Sequence, residues 1–206
     1  MRLYIVRHGQ TTWNTQGIAQ GHSDVDLDDV GRRQSLRLAA AFENQRVSKV
    51  YTSDLKRCVE TAGPVAVRLG IDLEARGDLR ERTFGELEGA HYTDIRTWFA
   101  AETRARGLGE HEIRPERGES MKDVWNRLGR FHRLIDRSRD NMMVVTHGGT
   151  GGLLMSRLIR GTVQTAKSFR LENASVTELI RRPDGYWQVL RLSDTRHLSG
   201  HEDDCC

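Results

Sequence analysis

Three short apolar runs in this 206-residue chain each end in side chains able to do chemistry. Leu3–Val6 is followed by Arg7-His8-Gly9, Val47–Thr52 by Ser53-Asp54-Leu55-Lys56-Arg57, and Met142–Thr146 by His147-Gly148-Gly149. Runs of this length and composition predict buried strands. Side by side in one sheet, they bring Arg7, Arg57, His8 and His147 together at one edge. Cations gathered without matching carboxylates point to a multiply charged anion, and guanidinium forks match phosphate oxygens two at a time. A neutral imidazole in such a pocket can attack phosphorus in line, which divides one hard displacement into two easier ones. Arg7, Arg57 and His147 would neutralise the equatorial oxygens, so no metal is required. Glycines after each histidine would let the backbone approach the phosphate closely. The leaving alkoxide needs a proton, and Glu81 and Glu88 are the candidate acids. Each residue also has a plainer reading: a structural histidine, a solvated Arg57, or Glu81 ion-paired with Arg80 or Arg82. The two histidines lack a third ligand of comparable quality for a metal.

The elements that must position these groups follow from periodicity. Gly31–Glu43 predicts an amphipathic helix behind an Asp28 or Asp29 cap, and Asp54–Leu69 a second helix capped by Ser53 or Asp54. Ile71–Leu73 reads as a third short strand. From Arg82 to Arg117, glycines and Pro115 interrupt the pattern around an aromatic helical piece at Tyr92–Phe99, which predicts a mostly helical excursion from the sheet. Ser120–Arg137 is helical by spacing. Met142–Thr146 leads through a glycine-rich turn to a helix at Leu153–Ile159. Val176–Ile180 and Tyr186–Leu192 form a hairpin across Arg182-Pro183-Asp184-Gly185. Strands alternating with helices predict an α/β fold with a largely parallel sheet covered on both faces, and ligands beyond the carboxyl ends of its strands.

Composition narrows the partners. With 32 Lys+Arg, 29 Asp+Glu and 37% hydrophobic residues, the chain suits a single domain over 1–206 carrying an insertion at about 82–117. Its apolar runs are too short to cross a bilayer, and the N-terminus lacks the pattern of a signal peptide, so a cytoplasmic protein without a membrane partner is expected. Basic residues are interleaved with acidic ones, which argues against nucleic acid. Cys58 falls in a helical stretch, while Cys205 and Cys206 read as a non-functional tail, and no spacing suggests zinc.

At the level of motifs, Arg7-His8-Gly9-Gln10-Thr11-Thr12-Trp13-Asn14 resembles the signature of the histidine phosphatase superfamily, the phosphoglycerate-mutase-like family. The resemblance continues in order through Gln20-Gly21-His22-Ser23-Asp24, Gly31-Arg32-Arg33-Gln34, Tyr51–Arg57 with Glu60-Thr61-Ala62, Leu79–Gly89, Gly118-Glu119-Ser120, Val144–Gly149 and Asn173–Thr177. It implies a three-layer α/β/α sandwich with a mostly parallel central sheet, capped by a small helical insertion. It implies that His8 is transiently phosphorylated and that Arg7, Arg57 and His147 form the phosphate pocket. Glu81 would give the leaving group its proton and later activate water. Asn14 and the Gly148 backbone would add phosphate hydrogen bonds, Gln20-Gly21 would line the entrance, and no cofactor or metal is implied. Two departures stand out: Asp26-Leu27-Asp28 replaces the usual Pro-Leu-Thr or Pro-Leu-Ser, and the Gly148–Gly152 segment is richer in glycine than usual, which would loosen the turn or the helix start.

The family holds hydrolases and mutases alike. The short stretch between Gly89 and Gly118 and the brief polar tail favour a site open to water, hence a phosphatase acting on a small phosphorylated metabolite, with cofactor-dependent phosphoglycerate mutase as the alternative. Phe84, Tyr92, Trp98, Phe99, His22 and Thr11-Thr12-Trp13 could meet the rest of the substrate, or Trp98 and Phe99 could simply pack the cap. Cations around His8 should lower its pKa, while burial and the phosphate charge should raise that of Glu81, giving a bell-shaped rate profile.

Overall fold

The computed structural model describes residues 1–199. Six strands form one sheet: β1 (Arg2–Arg7), β2 (Lys49–Ser53), β3 (Leu73–Arg76), β4 (Met142–Thr146), β5 (Val176–Arg181) and β6 (Trp187–Asp194). Their order is β3-β2-β4-β1-β5-β6, and β5 runs against the other five. The third strand starts at Leu73, later than the apolar run Ile71–Leu73 suggests, because its ladder is set by pairing Leu73–Arg76 with Val50–Ser53. The Arg182–Gly185 turn closes β5 onto β6, with the Arg182 amide donating to the Tyr186 carbonyl at 2.8 Å. No helix among the described residues is long and apolar enough to cross a membrane.

Alternation along the central strands builds two cores. Leu3, Ile5, Met142 and Val144 face α5 (Met121–Arg137) and α6 (Gly148–Leu158), meeting Leu128, Phe131, Leu154 and Met155. Tyr4, Val6, Met143 and Val145 face α2 (Asp29–Phe42) and α3 (Lys56–Leu69), meeting Leu38, Phe42, Cys58 and Val65. Each fully buried large side chain contributes about 1.5–3 kcal/mol of transfer free energy. Helix on both faces of one sheet makes a three-layer sandwich.

Caps come from where the sequence points in one case and not in another. Asp28 Oδ1 accepts from the Gly31 amide at 2.8 Å and so starts α2. For α3 neither Ser53 nor Asp54 provides the cap: the Lys56 amide donates to Asp24 Oδ1 at 2.8 Å, while Asp54 pairs with Arg80 through two 2.7 Å bonds. The stretch 82–117 holds a 3-10 turn at Gly85–Leu87, α4 (Tyr92–Arg106) and a 3-10 turn at Glu110–Glu112. It gathers Phe84, Ile95, Phe99 and Ile113 with Ala19 into a separate apolar cluster. It is tied to the segment after α1 (Thr12–Thr15) by the Ala19 amide to the Ala90 carbonyl and the Gly89 amide to the Ala19 carbonyl, both at 3.0 Å.

The first turn of α2 lies directly on the backbone after His8. A Cβ on Gly31 would stand 2.1 Å from the Gln10 carbonyl oxygen, and one on Gly9 would stand 2.8 Å from the Gly31 carbonyl oxygen. The glycine after His8 therefore serves helix packing. In an open helix, glycine to alanine stabilises by about 1 kcal/mol. Here the sign reverses. Gly31→Ala is expected to lower stability by about 2 kcal/mol or more, read as a lower urea midpoint, and an unchanged midpoint would contradict this packing.

Candidate active site

The registers Arg7 with Thr146 and Thr52 with Val145 make β1, β4 and β2 end level, so the groups just past them share one cavity. That cavity, of about 380 Å³, is lined by Arg7, His8, Asn14, Arg57, Glu81 and His147 among others. His8 is 4% exposed, and its Nδ1 lies 2.7 Å from the Gly9 carbonyl oxygen. A carbonyl only accepts, so Nδ1 carries the proton and Nε2 keeps its lone pair. Burial first, then the charges of Arg57 and Arg7, hold the His8 pKa well below the ordinary 6.5. The ring is neutral.

His147 packs edge-on against it, with ring centroids 5.2 Å apart. Arg57 Nε donates to His147 Nδ1 at 3.3 Å, so the His147 proton sits on Nε2, 2.9 Å from Ser53 Oγ. Burial and Arg57 hold this ring well below its usual pKa too. In this arrangement His147 is a neutral wall, and the cationic role read from the sequence is not seen. Behind it, burial pushes the Cys58 thiol up to about 12, which makes it a small packing group and not a nucleophile.

Arg57 is 1% exposed and pairs with no carboxylate among the described residues. Its Nη1 donates to the Ser23 carbonyl and its Nη2 to the Gly21 carbonyl, each at 2.8 Å. Of the five N–H groups of a guanidinium, three are thus spent on protein. The two that remain, one on each terminal nitrogen, form a fork suited to two oxygens of one phosphoryl group. Arg7 donates through Nη1 to the Leu171 carbonyl at 2.7 Å, while its buried Nε has no partner. Such an orphan donor in a cavity wall is costly unless a ligand meets it.

Glu81 stands at the start of α6. Its Oε2 accepts from the Gly149 amide at 3.0 Å, and its Oε1 accepts from the Thr150 amide at 3.1 Å and the Arg82 amide at 2.9 Å. Its backbone carbonyl is gripped by Arg127 Nη2 at 2.8 Å and His22 Nε2 at 2.9 Å. Glu81 makes no side-chain pair with Arg80 or Arg82; the latter instead lies over the Phe84 and Phe99 rings, 4.6 and 4.7 Å from their centroids. The glycines 148–152 belong to α6 itself, not to a loose turn before it. A Cβ on Gly149 would stand 2.8 Å from Glu81 Oε1, one on Gly151 2.6 Å from Leu171 Cδ1, and one on Gly152 3.0 Å from the Ala166 carbonyl oxygen.

Comparison with known proteins agrees with this geometry. The sequence profile of the histidine phosphatase superfamily (branch 1) matches residues 3–195. The chain belongs to the histidine phosphatase superfamily. Among its relatives, phosphoglycerate mutase-like protein 4 of Arabidopsis thaliana is 34% identical over 202 residues, covering 95% of this chain and 86% of that one. Among solved structures, a mycobacterial glucosyl-3-phosphoglycerate phosphatase superposes with TM-score 0.81 at 25% identity, covering 94% of this chain and 99% of that one. The α-ribazole phosphatase from Shigella flexneri superposes with TM-score 0.82 at 26% identity, covering 94% and 96%.

Within this histidine phosphatase, the other residues named from sequence also reach the cavity. Asn14 Oδ1 accepts from the Thr11 amide and from Asn173 Nδ2, each at 3.1 Å, so its own NH₂ is free to donate. Gln20 donates to Thr11 Oγ1 at 2.8 Å and keeps a buried, unpartnered Oε1, while Gly21 completes that wall. The Gly148 amide is the first of α6 and has no intrahelical acceptor. Of the aromatic candidates, Tyr92 lines the cavity, whereas Phe84 and Phe99 are buried in the apolar cluster of the 82–117 stretch and Trp98 stacks edge-on against Phe99. Glu88 is not on the cavity wall. Sequence reasoning assigned no role to Arg170, an exposed rim cation paired with Glu172, in a loop with no periodic signal. It also gave none to Asn173, whose NH₂ ties the His8 and Gly9 carbonyls at 3.0 and 3.2 Å, although its motif was visible. Among the described residues no cluster of three or more His, Cys, Asp or Glu is arranged for a metal ion. The tail pair Cys205 and Cys206 lies outside the described residues.

Proposed function

We propose that this phosphatase hydrolyses small phosphomonoesters through a phosphohistidine on His8, without a metal ion. The observation that carries the reading is the His8 ring: neutral, its Nδ1–H fixed on the Gly9 carbonyl, and its Nε2 lone pair held in a cavity with unspent arginine N–H groups. Nε2 attacks phosphorus, the bond from phosphorus to the ester oxygen breaks, and Glu81 gives its proton to the departing alkoxide. Water then attacks the phosphorus, Glu81 takes a proton from it, and the N–P bond breaks to release phosphate and restore His8. Arg7, Arg57, the Asn14 NH₂ and the Gly148 amide stabilise the equatorial oxygens, and His147 can transfer its Nε2–H from Ser53 to one of them. Arginines in the pocket supply the positive charge that a metal would otherwise bring.

The names of the neighbours support hydrolysis of esters whose non-phosphate parts differ widely. Choice among esters then falls to the rim, where Tyr92 and Arg170 meet the leaving group. The test is phosphate release from a panel of phosphomonoesters in EDTA, with 3-phosphoglycerate present with and without 2,3-bisphosphoglycerate. Turnover in EDTA supports the reading; dependence on added metal, or isomer formation with little phosphate release, overturns it.

A pH dependence follows from His8. The ring attacks only when neutral, and its pKa is held well below 6.5 by burial and by Arg57 and Arg7. The acid limb of kcat/KM assigned to His8 is expected well below pH 6.5, and a midpoint at or above 6.5 would contradict this environment.

A further inference from the structure

Glu88 offers a carboxylate to the cap insertion and to the loop that holds Arg57. Its Oε1 accepts from the His22 amide at 2.9 Å, Thr83 Oγ1 at 2.7 Å and the Phe84 amide at 3.2 Å. Its Oε2 accepts from the Ser23 amide at 2.9 Å and Ser23 Oγ at 2.8 Å. Burial alone would raise this carboxyl's pKa, but the donors from His22, Thr83, Ser23 and Phe84 outweigh it and hold the group below its ordinary value. Five donors keep this carboxylate ionised, and unlike Glu81 it does not line the cavity.

The loop segment it holds is the one whose carbonyls receive Arg57. Gly21 has φ +50°, and a Cβ there would stand 2.2 Å from Glu88 Oε1, so the backbone lies flat against the carboxylate. The amides of His22 and Ser23 point to Glu88, while the carbonyls of Gly21 and Ser23 point to the two terminal nitrogens of Arg57. One peptide stretch is therefore anchored by its donors on one side and anchors a guanidinium by its acceptors on the other. We propose that Glu88 is a positioning residue of the phosphate pocket, which aims the free fork of Arg57 by fixing the Gly21–Ser23 backbone. The proposal rests on Arg57 being a phosphate ligand.

The test is a double-mutant cycle read by calorimetric binding of inorganic phosphate to the full chain: wild type, Glu88→Ala, Arg57→Ala and the pair. Glu88→Ala is expected to weaken phosphate binding about tenfold in the wild-type background and less than about twofold once Arg57 is gone. Equal losses in both backgrounds, or no loss in the first, overturn the proposal. A loss routed through Glu81 would appear in kcat for alkyl esters and leave phosphate affinity unchanged. Should Glu88→Ala fail to fold, as judged by circular dichroism, Glu88→Gln carries the same cycle, keeping one acceptor oxygen and losing the other. Wild-type protein that binds phosphate but releases none from any ester would remove the hydrolytic reading while leaving the cycle interpretable.

Discussion

Replacing His8 with alanine is expected to lower kcat by ~10⁴-fold or more while leaving inorganic phosphate bound within about threefold of wild type. The two readouts separate because the groups that would hold phosphate are not the group that would attack it. Arg57 keeps its fork through the Gly21 and Ser23 carbonyls, and Arg7 is fixed by the Leu171 carbonyl, neither of which touches the His8 ring. The backbone after His8 is held separately by Asn173 and by the Gly9 amide donating to Thr61 Oγ1 at 2.9 Å. A small cavity where the imidazole stood is the main structural change. Phosphate release by a panel assay and affinity by calorimetry check the pair. Residual turnover within tenfold of wild type would require a nucleophile other than His8.

Glu81→Gln is expected to separate substrates by their leaving groups. An alkoxide must be protonated as it departs, and loss of a positioned acid costs ~10²–10⁴-fold, whereas p-nitrophenolate leaves without a proton. The amide is close to isosteric and keeps an acceptor oxygen for the Gly149 or Thr150 amide, so the start of α6 should stay in place. The variant should therefore lose most of its activity toward an alkyl phosphate in the P–O-breaking step, and far less toward p-nitrophenyl phosphate in that step. Rapid-quench measurement of the burst isolates the step from hydrolysis of the phosphohistidine, in which Glu81 acts for every substrate. Equal losses in the burst for both esters would make Glu81 a structural brace at the helix start.

Much of this arrangement is legible in the chain because strand ends are legible. Unbroken apolar runs at Leu3–Val6 and Met142–Val145 mark strands buried on both faces, and they place Arg7-His8 and His147 at the same edge once the strands are parallel. Asp28 announces its helix because an N-cap is a local interaction, three residues long. The failures share a different origin. The cap of α3 is Asp24, thirty-two positions away from Lys56, and no local pattern can show it. Arg57 is placed at the pocket by its strand end, but the way it is held is not legible, since its partners are backbone carbonyls that carry no residue signature. Glycine at 148–152 reads as a turn, because propensity registers what glycine costs a helix and not what its neighbours require. Likewise Glu81 and Glu88 look equivalent by residue type and position alone, and the cavity wall, which Glu81 joins and Glu88 does not, tells them apart.

That glycine-rich opening of α6 sets a limit on how the protein can be improved. Exchange of helical glycines for alanine is a standard way to raise thermal tolerance, and this segment offers four such positions among its first five residues. Three of them are filled from outside by Glu81, Leu171 and the Ala166 carbonyl, so the usual exchange would push on the proposed proton donor or on the core. The fourth, Gly148, faces Arg7 at 3.7 Å and lies on the cavity wall. Directed evolution for heat resistance should therefore find its gains in the solvent-facing parts of other helices and leave this turn untouched, making the start of α6 a place where durability and activity cannot be selected together.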